Sequence, residues 1–478
     1  MSEDTREPGR SDGRHSGPLD AMSPLADPVL VAQLRRVVAP QLAAQLGARH
    51  PATAPLDDAA RRELARSLIA KELAARAHER MRAGAPPMDH DAQRAVTAAV
   101  LAALFGLGRL QPLVDDPAVE NIEVDGCDTV WLSYADGRDV PGPVVAASDA
   151  ELIEMIQLLA ARSGGAERSF TPAHPALHLR LPDGSRLAAV AWLTPRPHVV
   201  IRRHRVTDVD LDDLVKLGTL DSVLASFLRA AVRAGRNIVV TGLQNAGKTT
   251  LVRAPANEFD PMERFATIEK EYELHLHDLP ERHPRLVAME AREGSAEVDA
   301  NGSHAGEITL AQLVTDALRM NLLRIIVGEV RGPEIIPMLE AMSTGDGSMC
   351  TLHARSAEHA IDRIVTLCLI SGSSIAEAFA YRLLAGAVDL VVHITLRDDS
   401  ADGGAKHRFV STVLEIGALG ESHRPVTTTV FAPGPDGRAV PTHRPDCLPL
   451  LVRAGFDQSL FEHRFGTWAR PLPSQGEQ

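Results

Sequence analysis

The stretch NIVVTGLQNAGKTTLVRA, Asn237 to Ala254, decides the fold. An apolar run, Ile238 to Val240, leads into Gly242, four intervening residues, and then Gly247, Lys248 and Thr249. A strand that delivers a glycine-rich turn to the start of a helix lets successive backbone N–H groups point inward around phosphates, with the positive end of the helix behind them. In this reading Gly242, Leu243, Gln244, Asn245, Ala246, Gly247, Lys248, Thr249 and Thr250 form a nucleotide site. Lys248 reaches the β and γ phosphates of ATP, and the Thr249 hydroxyl holds Mg2+. Pro255 falls inside the helix that should follow and is expected to kink it or end it early.

Downstream, apolar segments at 237–241, 264–268, 286–288, 324–328, 349–352 and 390–395 alternate with helical patterns, which points to a parallel sheet with helices on both faces. Groups that act on phosphate should sit at the C-terminal ends of such strands. RIIVGEVRG, from Arg324, places Glu329 at one such end, as an aligner of water or a ligand in the Mg2+ shell; its bland alternative is a structural carboxylate paired with Arg319 or Arg331. RFATIEKEYEL, from Arg264, ends another strand in Glu269, Glu271 and Glu273, where Glu269 could meet Mg2+ or water, or the three could be a solvated face. MCTLH ends a third in His353, either a neutral donor toward a γ phosphate or an ordinary surface or core histidine. Thr309 and Gln312 carry the capping-box spacing of a helix that feeds the Glu329 strand.

Upstream of the loop the pattern differs. Residues 1–26 are rich in Gly, Ser, Pro and charge and read as a disordered tail. Over 27–106, apolar positions recur every three or four residues in three stretches, which describes a helical bundle or a partner-docking region. Residues 107–205 hold short β-leaning segments punctuated by Asp-Gly pairs, an α+β domain. A linker over 206–220, an ATPase-type domain over 221–412 and an extension over 413–478 complete the expected organisation, with a last helix near Leu448 to His463.

Composition narrows the class. The net charge of −13 argues against a surface that wraps nucleic acid, and direct nucleic-acid binding is not expected. Four widely spaced cysteines match neither a disulfide framework nor a zinc ribbon and fit a reducing cytoplasm. With no apolar run of spanning length, any membrane association is expected to be peripheral or through a partner.

GLQNAGKTTLVRA, TIEKEYEL, DALRMNLLRIIVGEVRG and MSTGDGSMCTLHARS, in that order, resemble the secretion ATPases of type II and type IV secretion systems, and within them the ATPases of tight-adherence (Flp-type) pilus assembly. The resemblance runs from about Leu107 to Ile394. It implies an α/β fold, a P-loop NTPase (RecA-like) C-terminal domain with an α+β N-terminal domain and an N-terminal helical region. It also implies a cytoplasmic homo-hexamer that uses ATP and Mg2+, docks on an inner-membrane platform protein, and moves pilin or secreted protein cargo indirectly. By motif, Gly242, Gly247, Lys248 and Thr249 match the Walker A loop, Glu329 the Walker B glutamate, Glu269 the acidic box and His353 the histidine box. Arg180, Arg186, Arg202 and Arg203 match the region whose arginines reach nucleotide in the family. This chain departs from the pattern at Lys270, where a second acidic residue is usual, so that role passes to Glu271 or Glu273. It departs again at Arg355 and in a glycine turn one residue shorter. A DNA-translocating ATPase and a weakly active nucleotide-binding scaffold are the alternatives.

Overall fold

The computed structural model describes residues 27–47, 58–134, 138–162, 170–181, 183–203, 208–292, 294, 306–372, 375–399, 405–469 and 472. The tail expected over 1–26 lies outside the described residues. The chain divides after Arg203 into two compact units.

The first unit begins with three helices, α1 (Pro28–Gly47), α2 (Asp58–Arg82) and α3 (His90–Phe105). Their apolar stripes recur at three- and four-residue spacing and meet in one core: Leu34, Val38 and Leu42 against Leu68, Ile69, Val96 and Val100. Asp89 caps α3, its carboxylate accepting from the Ala92 N–H at 2.7 Å. A short α4 (Gln111–Asp115) leads to β1 (Val119–Asp125), β2 (Thr129–Tyr134) and β3 (Asp139–Pro141). Then come α5 (Asp149–Arg162), β4 (Ala176–Arg180), β5 (Arg186–Val190) and β6 (His198–Arg202). These strands form an antiparallel sheet in the order β3-β2-β1-β6-β5-β4. Alternate residues such as Ile122, Leu132, Leu187 and Ile201 face Leu152 and Ile156 of α5 in a second core, as the two-residue period of a strand requires.

The second unit places a nine-stranded sheet between helices. In chain order its elements are α6 (Leu211–Lys216), α7 (Ser222–Arg233), β7 (Ile238–Gly242), α8 (Lys248–Ala256), β8 (Phe265–Glu269) and β9 (Val287–Glu290). They continue with α9 (Leu310–Ala317), β10 (Arg324–Val330), α10 (Ile335–Thr344), β11 (Met349–His353), α11 (Ala357–Ile370), α12 (Glu377–Ala387) and β12 (Leu390–Asp398). The last are β13 (Lys406–Leu419), β14 (Pro425–Pro433), β15 (Ala439–Pro441) and α13 (Leu448–Arg453). Strands β7 to β12 pair in parallel in the order β9-β8-β10-β11-β7-β12, so all six strands expected from the sequence are present. Both faces are apolar: Ile238 and Val240 of β7 pack toward α7 and α8, and Val239 toward α10, α11 and α12. Being buried on both sides explains why these strands read as continuous apolar runs.

Three expectations change here. The residues from 413 onward do not stand apart as an extension: β13 begins at Lys406, pairs antiparallel with β12, and carries β14 and β15 with it into the same sheet. The span expected as a linker contains α6, fixed by a reciprocal capping box between Asp210 and Asp213. The last helix stops at Arg453, and a 3-10 turn at Gln458–Glu462 follows it. Phe227 of α7 shows why the C-terminal segment joins the unit. Its ring centroid lies 5.1 Å from Phe431, 5.8 Å from Phe456 and 6.3 Å from Phe461, an edge-on aromatic cluster that the earlier helices cannot complete.

Candidate active site

β7 ends at Gly242, and the turn to α8 occupies Leu243 to Gly247. Two glycines make this turn possible. A Cβ on Gly242 would lie 2.4 Å from the Ile394 carbonyl oxygen of β12, so a side chain there would part the two strands. Gly247 has φ +97°, a left-handed conformation open to glycine at little cost. The first N–H groups of α8 face the turn without helical partners, as a phosphate site requires. α8 ends at Ala256, one residue after Pro255, so the proline closes a short helix.

Lys248 is 8% exposed, and its ammonium donates to the Leu243 carbonyl at 3.0 Å. It also donates to Nδ1 of His353 at 3.2 Å. β11 lies parallel to β7 with His353 opposite Gly242, which is how a residue 105 positions away reaches the loop. The other ring nitrogen of His353, Nε2, lies 2.7 Å from Oε1 of Glu329, a close contact without hydrogen-bond alignment, since that buried oxygen has no hydrogen-bond partner among the described residues. The register of β10 against β11 slips between Val327 and Val330, and this irregularity re-aims Glu329 at the end of its strand. Arg331 holds the second carboxylate oxygen of Glu329. The result is a continuous chain, Lys248–His353–Glu329–Arg331, across the tips of three strands.

The protonation states follow from this chain. Burial pulls Lys248 down to about 8, against the opposing pull of Glu329 and Glu273. Burial, with the Lys248 charge second, lowers His353 as well. A neutral His353 then accepts at Nδ1 from Lys248, which leaves its proton on Nε2, the nitrogen in contact with Glu329; the tautomer is assigned from the Lys248 bond. The hydrogen bond from Arg331 to Glu329 raises the guanidinium.

The acidic strand end divides its labour. Oε1 of Glu269, a buried residue, accepts from the N–H groups of Glu273 and Leu274, both at 2.9 Å, and so folds the chain back after β8. Glu273 is the carboxylate that meets the loop: Thr249 Oγ1 donates to its Oε2 at 3.1 Å. Arg253 of α8 clamps the same segment, donating to the Leu274 carbonyl at 2.6 Å and to the Glu273 carbonyl. The Thr249 hydroxyl and the Glu273 carboxylate are oxygen donors of the kind Mg2+ takes, and the charges of Glu273 and Glu329 both act on the neighbouring Lys248. Arg408 of β13 was not foreseen from the sequence; its Nε donates to the Asn245 carbonyl at 3.0 Å and braces the loop from 163 residues away.

The four arginines carried over by resemblance all lie in the first unit. Arg180, Arg186 and Arg202 fall in one register row across β4, β5 and β6. Arg203 follows β6, and its guanidinium donates to the Asp116 carbonyl.

Comparisons with known proteins give the family and several relatives. A family model described as type II/IV secretion system protein matches residues 106–421. A Mycobacterium tuberculosis protein named for conjugal transfer is 31% identical over 305 residues, 61% of this chain and 80% of that one. The type IV secretion system protein PtlH of Bordetella pertussis is 28% identical over 334 residues, 64% of this chain and 93% of its own length. Among solved structures, the VirB11 ATPase from Brucella suis in complex with sulphate matches at 27% identity and a TM-score of 0.33, covering 65% of this chain and 93% of that chain.

Proposed function

The chain belongs to the type II/IV secretion system protein family, and on that premise we propose that it is a Mg2+-dependent ATPase, the motor of a homo-hexamer that powers pilus assembly or protein secretion. The observation that supports this most is the chain of contacts from Lys248 through His353 to Glu329 beside a complete phosphate loop. Glu329 aligns a water molecule against a γ phosphate, and Lys248 draws the phosphate oxygens in. Thr249 and Glu273 would hold Mg2+, with Glu329 as a further carboxylate toward it, and the ion would supply positive charge to offset the phosphates. Entry of the phosphates takes Lys248 from His353, and His353 is then left to report phosphate occupancy to Glu329. Such a motor acts in the cytoplasm, held at the inner membrane by a platform protein, with pilin or secreted protein as cargo. Among the described residues no single helix is long and apolar enough to cross a membrane.

The test is phosphate release by purified wild type and Lys248→Ala, with mass measured across the same concentrations with and without nucleotide. Turnover that rises with assembly and is absent from Lys248→Ala supports the motor; normal turnover by Lys248→Ala overturns the site. The conjugal-transfer name of the mycobacterial relative favours a second reading, a motor with DNA as cargo. Salt-sensitive DNA binding would support it, against a net charge of −13.

A further inference from the structure

The segment that follows β8 reads Glu-Leu-His-Leu-His-Asp over Glu273 to Asp278, and the function above uses only its first residue. His275 has φ +52° and opens a tight turn over Leu276–Asp278. The turn brings His275 Nδ1 to 2.9 Å from one carboxylate oxygen of Asp278, while Nε2 of His277 lies 3.5 Å from the other. The two imidazoles are nearly parallel, at 23° with centroids 6.0 Å apart, and Tyr272 packs on His277 at 4.5 Å. One ligand atom from each of the three side chains lies within 4.8 Å of the others.

We propose that His275, His277 and Asp278 bind one divalent transition-metal ion of the zinc class, using residues distinct from the Mg2+ ligands at the phosphate loop. Imidazole nitrogen and carboxylate oxygen are the donors such an ion takes, at about 2.0–2.2 Å, which sets tetrahedral ligand atoms roughly 3.3–3.5 Å apart. The present spacing closes to that by rotation of His277 and Asp278, whose side chains are 26% and 49% exposed. Three protein ligands leave a fourth position for water. Burial lowers the Arg253 guanidinium to about 10, and the carboxylates of Glu269, Glu273 and Asp278 pull the other way, so three acidic groups surround the turn with one guanidinium among them. Arg253 in turn ties this segment to α8, so a bound ion stiffens the chain that presents Glu273 to Thr249.

The experiment is calorimetric titration of Zn2+ into EDTA-stripped full-length protein, without nucleotide and in excess Mg2+, with the absorption spectrum of Co2+ as a report on geometry. The expected result is one saturable equivalent per chain that Mg2+ does not displace, weakened about tenfold or more in His277→Gln and in Asp278→Asn. His198→Gln removes a different histidine–carboxylate pair, with Asp125, and is expected to leave the affinity unchanged. Zn2+ should also raise the unfolding midpoint of wild type and not of the two ligand variants, whose metal-free midpoints report on folding. Absence of saturable binding, displacement by Mg2+, or wild-type affinity in either ligand variant overturns the proposal.

Discussion

Lys248 supplies the most quantitative consequence of the site. Burial depresses it to about 8 in the nucleotide-free chain, whereas the phosphates of a bound nucleotide draw it back to the charged form. The sign follows: below about pH 8 the ammonium is already charged and binding needs no proton, while above it each nucleotide bound must bring one in. Nucleotide affinity therefore scales as the charged fraction, which falls from about nine-tenths near pH 7 to about one-tenth near pH 9, an expected loss of about tenfold or 1.4 kcal/mol. The last phosphate ionisation, near pH 6, adds little across this range. The assay is calorimetric titration of ATP in buffers of differing ionisation enthalpy, with Lys248→Arg, whose charge does not titrate, as the reference. Wild type should lose affinity and take up close to one proton at high pH, and Lys248→Arg should stay flat. Equal profiles for the two proteins, or affinity that rises with pH, would refute the reasoning.

Other outcomes follow from the same contacts. Glu273→Gln should raise the Mg2+ concentration needed for half-maximal turnover with little change in the unfolding midpoint. Glu269→Gln, which weakens the buried acceptor of two backbone N–H groups, should instead cost about 1–3 kcal/mol of stability by denaturant titration. Phe227→Ala removes the centre of the aromatic cluster and should cost about 3–5 kcal/mol in the same measurement. His353→Ala breaks the link between Lys248 and Glu329; turnover should fall by about 10²-fold while ATP affinity, measured by calorimetry, changes little.

Local chemistry was legible in the sequence, and long-range partnership was not. The phosphate loop declares itself because its glycines, lysine and threonine are neighbours in the chain, and the parallel strands do so because burial on both faces makes them uniformly apolar. Thr309 and Gln312 form the reciprocal cap that their spacing requires. The place of β13 could not be read the same way. A hairpin added to the edge of a parallel sheet leaves the same local pattern as a separate β segment, and only the register of Val413 with Val392 distinguishes them. Glu273 stood among three glutamates at a strand end, and sequence alone does not say which one turns toward Thr249. Arg408 left no signal, since its contact with Asn245 depends on β12 and β13 carrying it back across the sheet. His275 and His277 read as ordinary members of a set of 19 histidines until the turn at Leu276 brings both to Asp278.

The central claim is that Glu329 acts on water at a phosphate held by the Gly242–Thr250 loop. Its most direct test is phosphate release by Glu329→Gln beside wild type at saturating ATP and Mg2+, with nucleotide binding measured on the same samples. The account predicts that binding persists in Glu329→Gln while turnover falls by about 10²–10⁴-fold. Turnover by Glu329→Gln at the wild-type rate would contradict it.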